Sequence, residues 1–264
     1  MNILQRMDPN YGKGVFRRRL RLQVQGDGSG PAGLGGLMLV DLEDNNHAFR
    51  IRLQHDGVVV TDVLSESVRH PFTTCPDASQ PLRRAIGLRL DADGLTQRQR
   101  LEPGANCTHL FDMTILALAH AADVGLDRLY EITIDDERDG LIRSRIECNG
   151  ETIHDWQVRD QVVEAPDAYA GQPIMRGFYA WASQAFTGMP LEAAVALQRG
   201  FFVGQSRRYV SRPIELYPAI SDGVPDGVCY SYNHGVVERA LRINGSIRDH
   251  SDSPDRLLKF DPMP

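Results

Sequence analysis

The chain has 264 residues, a formal net charge of −6 and 42% hydrophobic residues. That length allows one large domain or two small ones. The charge excludes a global electrostatic pull toward nucleic acid or an anionic membrane. Met1 to Gly14 holds no long apolar core, and no apolar run reaches bilayer length. A cytoplasmic protein without a membrane span is therefore expected. Its cysteines, Cys75, Cys107, Cys148 and Cys229, are expected as thiols, because disulfides do not persist in that compartment. No C-x-x-C pair is present, which removes the usual zinc-finger spacing.

Val15, Phe16, Leu20, Leu22 and Val24 alternate as a strand over 15–25. Arg17, Arg18 and Arg19 give it a charged face. No aromatic platform or basic helix accompanies them, so no nucleic-acid role is expected. Gly28-Ser29-Gly30-Pro31-Ala32-Gly33 matches G-x-G-x-x-G in form, but Leu37 to Leu42 continue as a strand. A phosphate-binding motif should open a helix, so the stretch reads as a hairpin loop and no nucleotide cofactor is expected. His47 to His55 alternates as a half-buried strand. His47 and His55 share a face but lie roughly 26 Å apart at the usual strand rise, too far to share a metal. Asp41, Glu43 and Asp44 precede His47, an acidic cluster able to hold a cation; a solvated strand end is the reading preferred. His55-Asp56-Gly57 turns the chain into Val58 to Leu64, completing a meander of about four strands over 15–64.

A helix is expected from Cys75-Pro76 to about Ile86, capped by Thr74 or Cys75 and stopped by Gly87. A linker with Asp91, Asp93 and Gly94 follows. Thr108 to Ala122 carries Leu110, Met113, Leu116, Ala117 and Ala121 on one helical face. His120 lies about 16 Å along that helix from His109, in the core or at the C-terminus. Strands are expected at 129–134, 141–147 and 152–158, with Asn149-Gly150 as a tight hairpin turn and His154 as surface decoration. Helical segments follow near 176–187 and 191–204, and the tail from Asp249 to Pro264 reads as an arm or as disordered. Strands, helices, strands, helices without a βαβ rhythm make an α+β fold. It is an antiparallel meander followed by helices, extended by a second β-hairpin region and C-terminal helices. Residues 1–125 form the core segment, 126–210 pack on it, and 211–264 are irregular.

The concentrated chemistry is Asn106-Cys107-Thr108-His109-Leu110, a thiol and an imidazole at a helix start, with Cys75 at an earlier one. A helix N-terminus favours thiolate at Cys107 and disfavours imidazolium at His109. Both effects suit metal ligation. With Cys75 as a third ligand, Cys75, Cys107 and His109 would leave one position open, as in a catalytic zinc site. A nucleophilic Cys107 with His109 as base is a second reading, and thiols that only pack are a third. Phe178, Tyr179 and Trp181 form an aromatic cluster that would line an apolar ligand pocket or fill a core. Arg207 would meet a ligand carboxylate or phosphate, or end a helix as a surface charge.

Phe16-Arg17-Arg18-Arg19, His55-Asp56-Gly57, Cys75-Pro76, Leu82 with Ile86-Gly87, and Asn106-Cys107-Thr108-His109-Leu110 occur in the order that resembles the bacterial family domain of unknown function 2889. The resemblance covers about residues 15–125 and more loosely extends to about 160. Asn106 stands where that family often has glycine. The resemblance implies a bacterial cytosolic protein, with Cys75, Cys107 and His109 as the positions to examine. The layout is also similar in topology to NifU/SufE-type iron–sulfur scaffold proteins, whose full ligand set this chain lacks. The function expected is an enzyme of lyase, hydrolase or isomerase type acting on a small hydrophobic metabolite, aromatic or carboxylate-bearing, in a catabolic pathway. Zinc or iron is the metal to expect if one is bound, and homo-oligomerisation is left open. The alternatives are a metal- or iron–sulfur-binding accessory protein using the same three residues, and a non-catalytic ligand-binding module.

Overall fold

The computed structural model describes residues 6–26, 33–210 and 216–260. The Gly28 to Ala32 part of the glycine-rich stretch lies outside them. The strands are β1 (Arg6–Met7), β2 (Val15–Gly26), β3 (Gly36–Asp44), β4 (Ala48–His55), β5 (Val60–Arg69), β6 (Asp127–Asp135), β7 (Leu141–Cys148), β8 (Glu151–Arg159), β9 (Val162–Ala165), β10 (Tyr209–Val210), β11 (Leu216–Pro218) and β12 (Leu241–Ile243). The α-helices are α1 (Ser79–Leu82), α2 (Gly94–Leu101), α3 (Thr108–His120), α4 (Phe178–Ala185) and α5 (Gly188–Gly204). Strands β2 to β9 form one eight-stranded sheet in the order β5-β4-β3-β2-β6-β7-β8-β9. The pairs β3–β4, β4–β5, β6–β7, β7–β8 and β8–β9 run antiparallel. The protein is α+β. No described helix is long and apolar enough to cross a membrane. The described residues fall into two compact units, one within Arg21–Arg128 and Arg212–Ile247, the other within Gln5–Leu20, Leu129–Ser211 and Arg248–Pro264.

In the first unit, alternation dictates the sheet. Phe49, Ile51, Leu53 and His55 on β4 are buried while Arg50, Arg52 and Gln54 are not fully so. Helix α3 buries Leu110, Phe111, Met113, Ala117 and Leu118 and packs on β3 and β4. The helix expected over 76–86 is broken into a 3-10 turn (Cys75–Ala78), α1 and a second 3-10 turn (Arg83–Ala85). Pro81 lacks the amide hydrogen that a continuous α-helix would use at that position. The expected linker after Gly87 contains α2, capped by Asp93, whose carboxylate accepts from the Leu95 amide (2.8 Å) and the Thr96 amide (3.0 Å). Between β5 and the 3-10 turns, residues 71–73 are stitched to β12. Ile243 N donates to Pro71 O (2.8 Å) and Thr73 N to Leu241 O (2.9 Å).

In the second unit, α5 packs on β7 and β8. A Cβ at Gly200 would stand 2.7 Å from Ile132 Cγ2, so glycine there permits the close approach of helix to strand. His154 is buried, against the expectation of surface decoration. Its Nε2 donates to Pro190 O at 2.8 Å, and its ring packs on Trp156 and Phe186. The expected arm from Asp249 is instead docked over its described part. Ser251 Oγ accepts from Val15 N (2.9 Å), Arg207 Nη1 donates to Asp249 (3.3 Å), and Leu257 is buried.

Candidate metal centre

The turn joining β3 to β4 is Asp44-Asn45-Asn46-His47, and it is closed by Asp44 N donating to His47 O at 2.8 Å. Asp44 Oδ1 accepts from Asn46 N (2.7 Å) and His47 N (2.8 Å), and lies 3.2 Å from His47 Nδ1. A carboxylate accepts only, so Nδ1 carries the hydrogen in that contact and His47 Nε2 carries the lone pair. The turn is not the solvated strand end expected. Asp44 is 0% exposed, and Glu43, Asn45 and Asn46 are buried with it. A polar turn is buried only where it is hydrogen-bonded, and Arg69 at the end of β5 supplies much of that bonding. Its Nη2 donates to Glu43 Oε1 (3.1 Å), to His47 O (3.2 Å) and to Asp44 O; its Nη1 donates to Asn45 O (3.0 Å).

The first turn of α3 delivers His109 to this place. The His109 and His47 ring centroids are 4.1 Å apart, with Phe49 against both rings at 5.8 and 5.6 Å. One ligating atom from each of Asp44, His47 and His109 lies within 4.8 Å of the others. Two imidazoles and a carboxylate are a donor set suited to zinc or to ferrous iron. At metal–nitrogen and metal–oxygen bonds of about 2.0–2.2 Å, the donors of a tetrahedral ion stand roughly 3.3–3.6 Å apart, so closing on an ion would draw the three atoms together by up to about 1.5 Å. His70 lies near enough to feel the charge of His47. Its Nδ1 donates to Phe72 O at 2.8 Å, which leaves Nε2 as the basic nitrogen. Burial, reinforced by His47, holds its pKa below the usual histidine value, so it is neutral at pH 7.

The two thiols of interest stand elsewhere in the same unit. Cys75 and Cys107 are buried, and each starts a helical turn as expected: Cys107 is the N-cap of α3, and Cys75 follows the Thr74 cap. Among the described residues, neither joins a three-ligand group with His109. The helix end favours thiolate at Cys107 as expected, but burial outweighs it. Burial pushes its pKa up, the nearby Cys75 and Cys229 add to this, and the Leu110 and His109 amides only partly offset it. Burial likewise raises Cys75 to about 11, against lowering by Ser231, whose Oγ is 3.7 Å from its Sγ. Dehydration of a thiolate outweighs the partial charge of a helix end.

The aromatic residues belong to the second unit. Phe178 and Trp181 are buried among Trp156, Tyr169 and Phe186, and Trp181 Nε1 donates to Pro173 O at 2.7 Å. Tyr179 is exposed. Arg207 is committed to an ion pair with the buried Asp136 (2.7 Å) and to Asp249, so it does not wait for a ligand carboxylate. Asp44 and His47 were within reach of sequence reasoning, as an acid three residues before a histidine at a strand end. Arg69 and His70 carried no such signal.

No curated protein matches the chain. Residues 37–122 match the model of the family described as Protein of unknown function (DUF2889). That stretch holds Asp44, His47, Arg69, His70, Cys75, Cys107 and His109. The chain is thus similar to the DUF2889 family over residues 37–122, the segment that builds the candidate centre.

Proposed function

We propose that the protein is a metal-dependent enzyme in which Asp44, His47 and His109 hold a zinc or ferrous ion. Its substrate is a small hydrophobic metabolite, aromatic or carboxylate-bearing, and its chemistry is of lyase, hydrolase or isomerase type. The observation that carries this reading is the convergence of three ligating atoms within 4.8 Å, one of them on a carboxylate wholly withdrawn from water. A buried carboxylate is costly unless positive charge compensates it. A cation held between this carboxylate and the two imidazoles, whose tilted rings lie 4.1 Å apart, would supply that charge. Three protein ligands leave coordination positions open, which is the arrangement of a catalytic rather than a structural site. The ion would polarise a bound water or substrate oxygen. His70, neutral and with its basic Nε2 defined, is the nearby group suited to take up a proton. The raised thiol pKa values of Cys75 and Cys107 speak against either as a nucleophile.

A second reading keeps the residues and omits the metal. The 3.2 Å contact of Asp44 with His47 is that of an oriented acid–base dyad. Titration of tag-free, chelator-treated protein with Zn2+ and Co2+ separates the two. One ion per chain is expected, with affinity reduced more than about 100-fold in His47→Ala and His109→Ala, since loss of mere outer-shell partners already costs 10–100-fold. Cys107→Ser should bind as the parent does. A parent protein that takes up no ion, or a His47→Ala variant that binds unchanged, would remove the metal reading.

A further inference from the structure

We infer that Arg69 is the positioning residue of the Asp44–His47–His109 centre, and that the chain at Leu241–Ser246, outside the family segment, completes its hold. The inference rests on the metal reading above and extends it from the ligands to what fixes them. Arg69 reaches five oxygens with two nitrogens. Nη2 bonds Glu43 Oε1, Asp44 O and His47 O, and Nη1 bonds Asn45 O and Ser246 O, the last at 2.8 Å. Three of those oxygens are the main-chain carbonyls of Asp44, Asn45 and His47. The backbones of both ligands on the turn, and of one residue between them, are therefore pinned to one rigid plane.

The plane is itself held from behind. Ser246 Oγ donates to Ile243 O (3.0 Å), Ile243 N to Pro71 O (2.8 Å), and Thr73 N to Leu241 O (2.9 Å). Leu241–Ser246 thus grips both sides of the Arg69-His70 corner, by main chain at 71–73 and by Ser246 O, which accepts from the guanidinium. A lysine cannot reproduce this. One ammonium offers three donors around a point, whereas the guanidinium offers a planar fork. Removing the fork would take the donor from carbonyls of a turn whose Asp44 and Asn45 are buried. What the arginine contributes is the placement of Asp44 and His47 at a separation an ion can bridge. It does so without touching the ion.

The test uses the full chain, with Co2+ as the probe for both affinity and the visible spectrum that reports coordination geometry. Arg69→Met is expected to weaken Co2+ binding about 10- to 100-fold, the usual effect of losing a residue that orients ligands, and to alter the spectrum of the loaded protein. Arg69→Lys should recover part of the affinity. Leu88→Ala, a core truncation away from the turn, should lower stability while leaving affinity and spectrum as in the parent. If Arg69→Met is not recovered folded, Arg69→Lys decides alone: a roughly tenfold loss with a changed spectrum supports the assignment. Unchanged affinity and spectrum in the Arg69 variants, or a change no larger than in Leu88→Ala, would overturn it. Failure of the parent to bind Co2+ is a separate result, and it removes the metal reading instead.

Discussion

At the scale of single residues, burial decides which side chains are chemically active. Cys75 and Cys107 sit at helical starts, where the exposed ends of peptide dipoles would stabilise a thiolate, yet both pKa values go up because each thiol is shut away from water. This has a measurable consequence for stability. The folded-state pKa of Cys75 is about 11 against an ordinary 9.0, and Cys107 and Cys229 are shifted in the same direction. Groups whose folded pKa is raised contribute stability that is fully present below the unfolded value and lost as pH rises through the folded one. Denaturant midpoints should therefore fall between about pH 9 and 11, and Cys75→Ser should flatten part of that fall. At pH 8, iodoacetamide should modify Cys75 and Cys107 much more slowly in native than in unfolded protein. Fast native alkylation of either would show the burial argument to be wrong.

At the scale of elements, what was legible in the sequence was what repeats. The strands β2 to β4 follow alternating apolar residues, and α3 follows its Leu110–Met113–Ala117 face, so the pattern alone places them. Helix α2 escaped because its apolar content is slight; among its residues only Gln97 and Leu101 are buried. It is held at its start by Asp93, a cap whose signal stood in the sequence beside Gly94. Asp93→Ala should cost about 1 kcal/mol in equilibrium unfolding, the usual worth of an N-cap, with helix content reduced. An unchanged midpoint would mean that packing of Leu101, not the cap, defines the helix. The continuous helix expected over 76–86 failed for the opposite reason. Apolar spacing suggested it, but Pro81 denies it the hydrogen bonding that spacing cannot report. The docked chain at Asp249 to Leu257 is held by polar clips to Val15 and Arg207, and such clips leave no period to read.

At the scale of the whole molecule, function depends on residues that the sequence separates and the fold collects. His109 and its helix start were legible; Asp44 and His47 were legible as a group able to hold a cation, though a solvated strand end was preferred; Arg69 and Ser246 were not legible. Asp44 and His47 looked like a solvated strand end because acids and asparagines at a turn usually face water. They are buried because Arg69, 22 residues past His47, satisfies the turn from below, and a guanidinium fork leaves no mark in composition or spacing. Ser246 lies 177 residues beyond Arg69 and is invisible to any local pattern. The centre is therefore a product of tertiary structure in a sense that the Cys-Thr-His-Leu motif is not. The contrast between the two can be put directly to the metal. Zinc K-edge X-ray absorption on the 1:1 zinc complex reads the donor atoms themselves. The account expects nitrogen and oxygen scatterers alone, at about 2.0–2.2 Å, with the outer-shell features of imidazole. A sulfur shell at about 2.3 Å would place the ion on cysteine and contradict it.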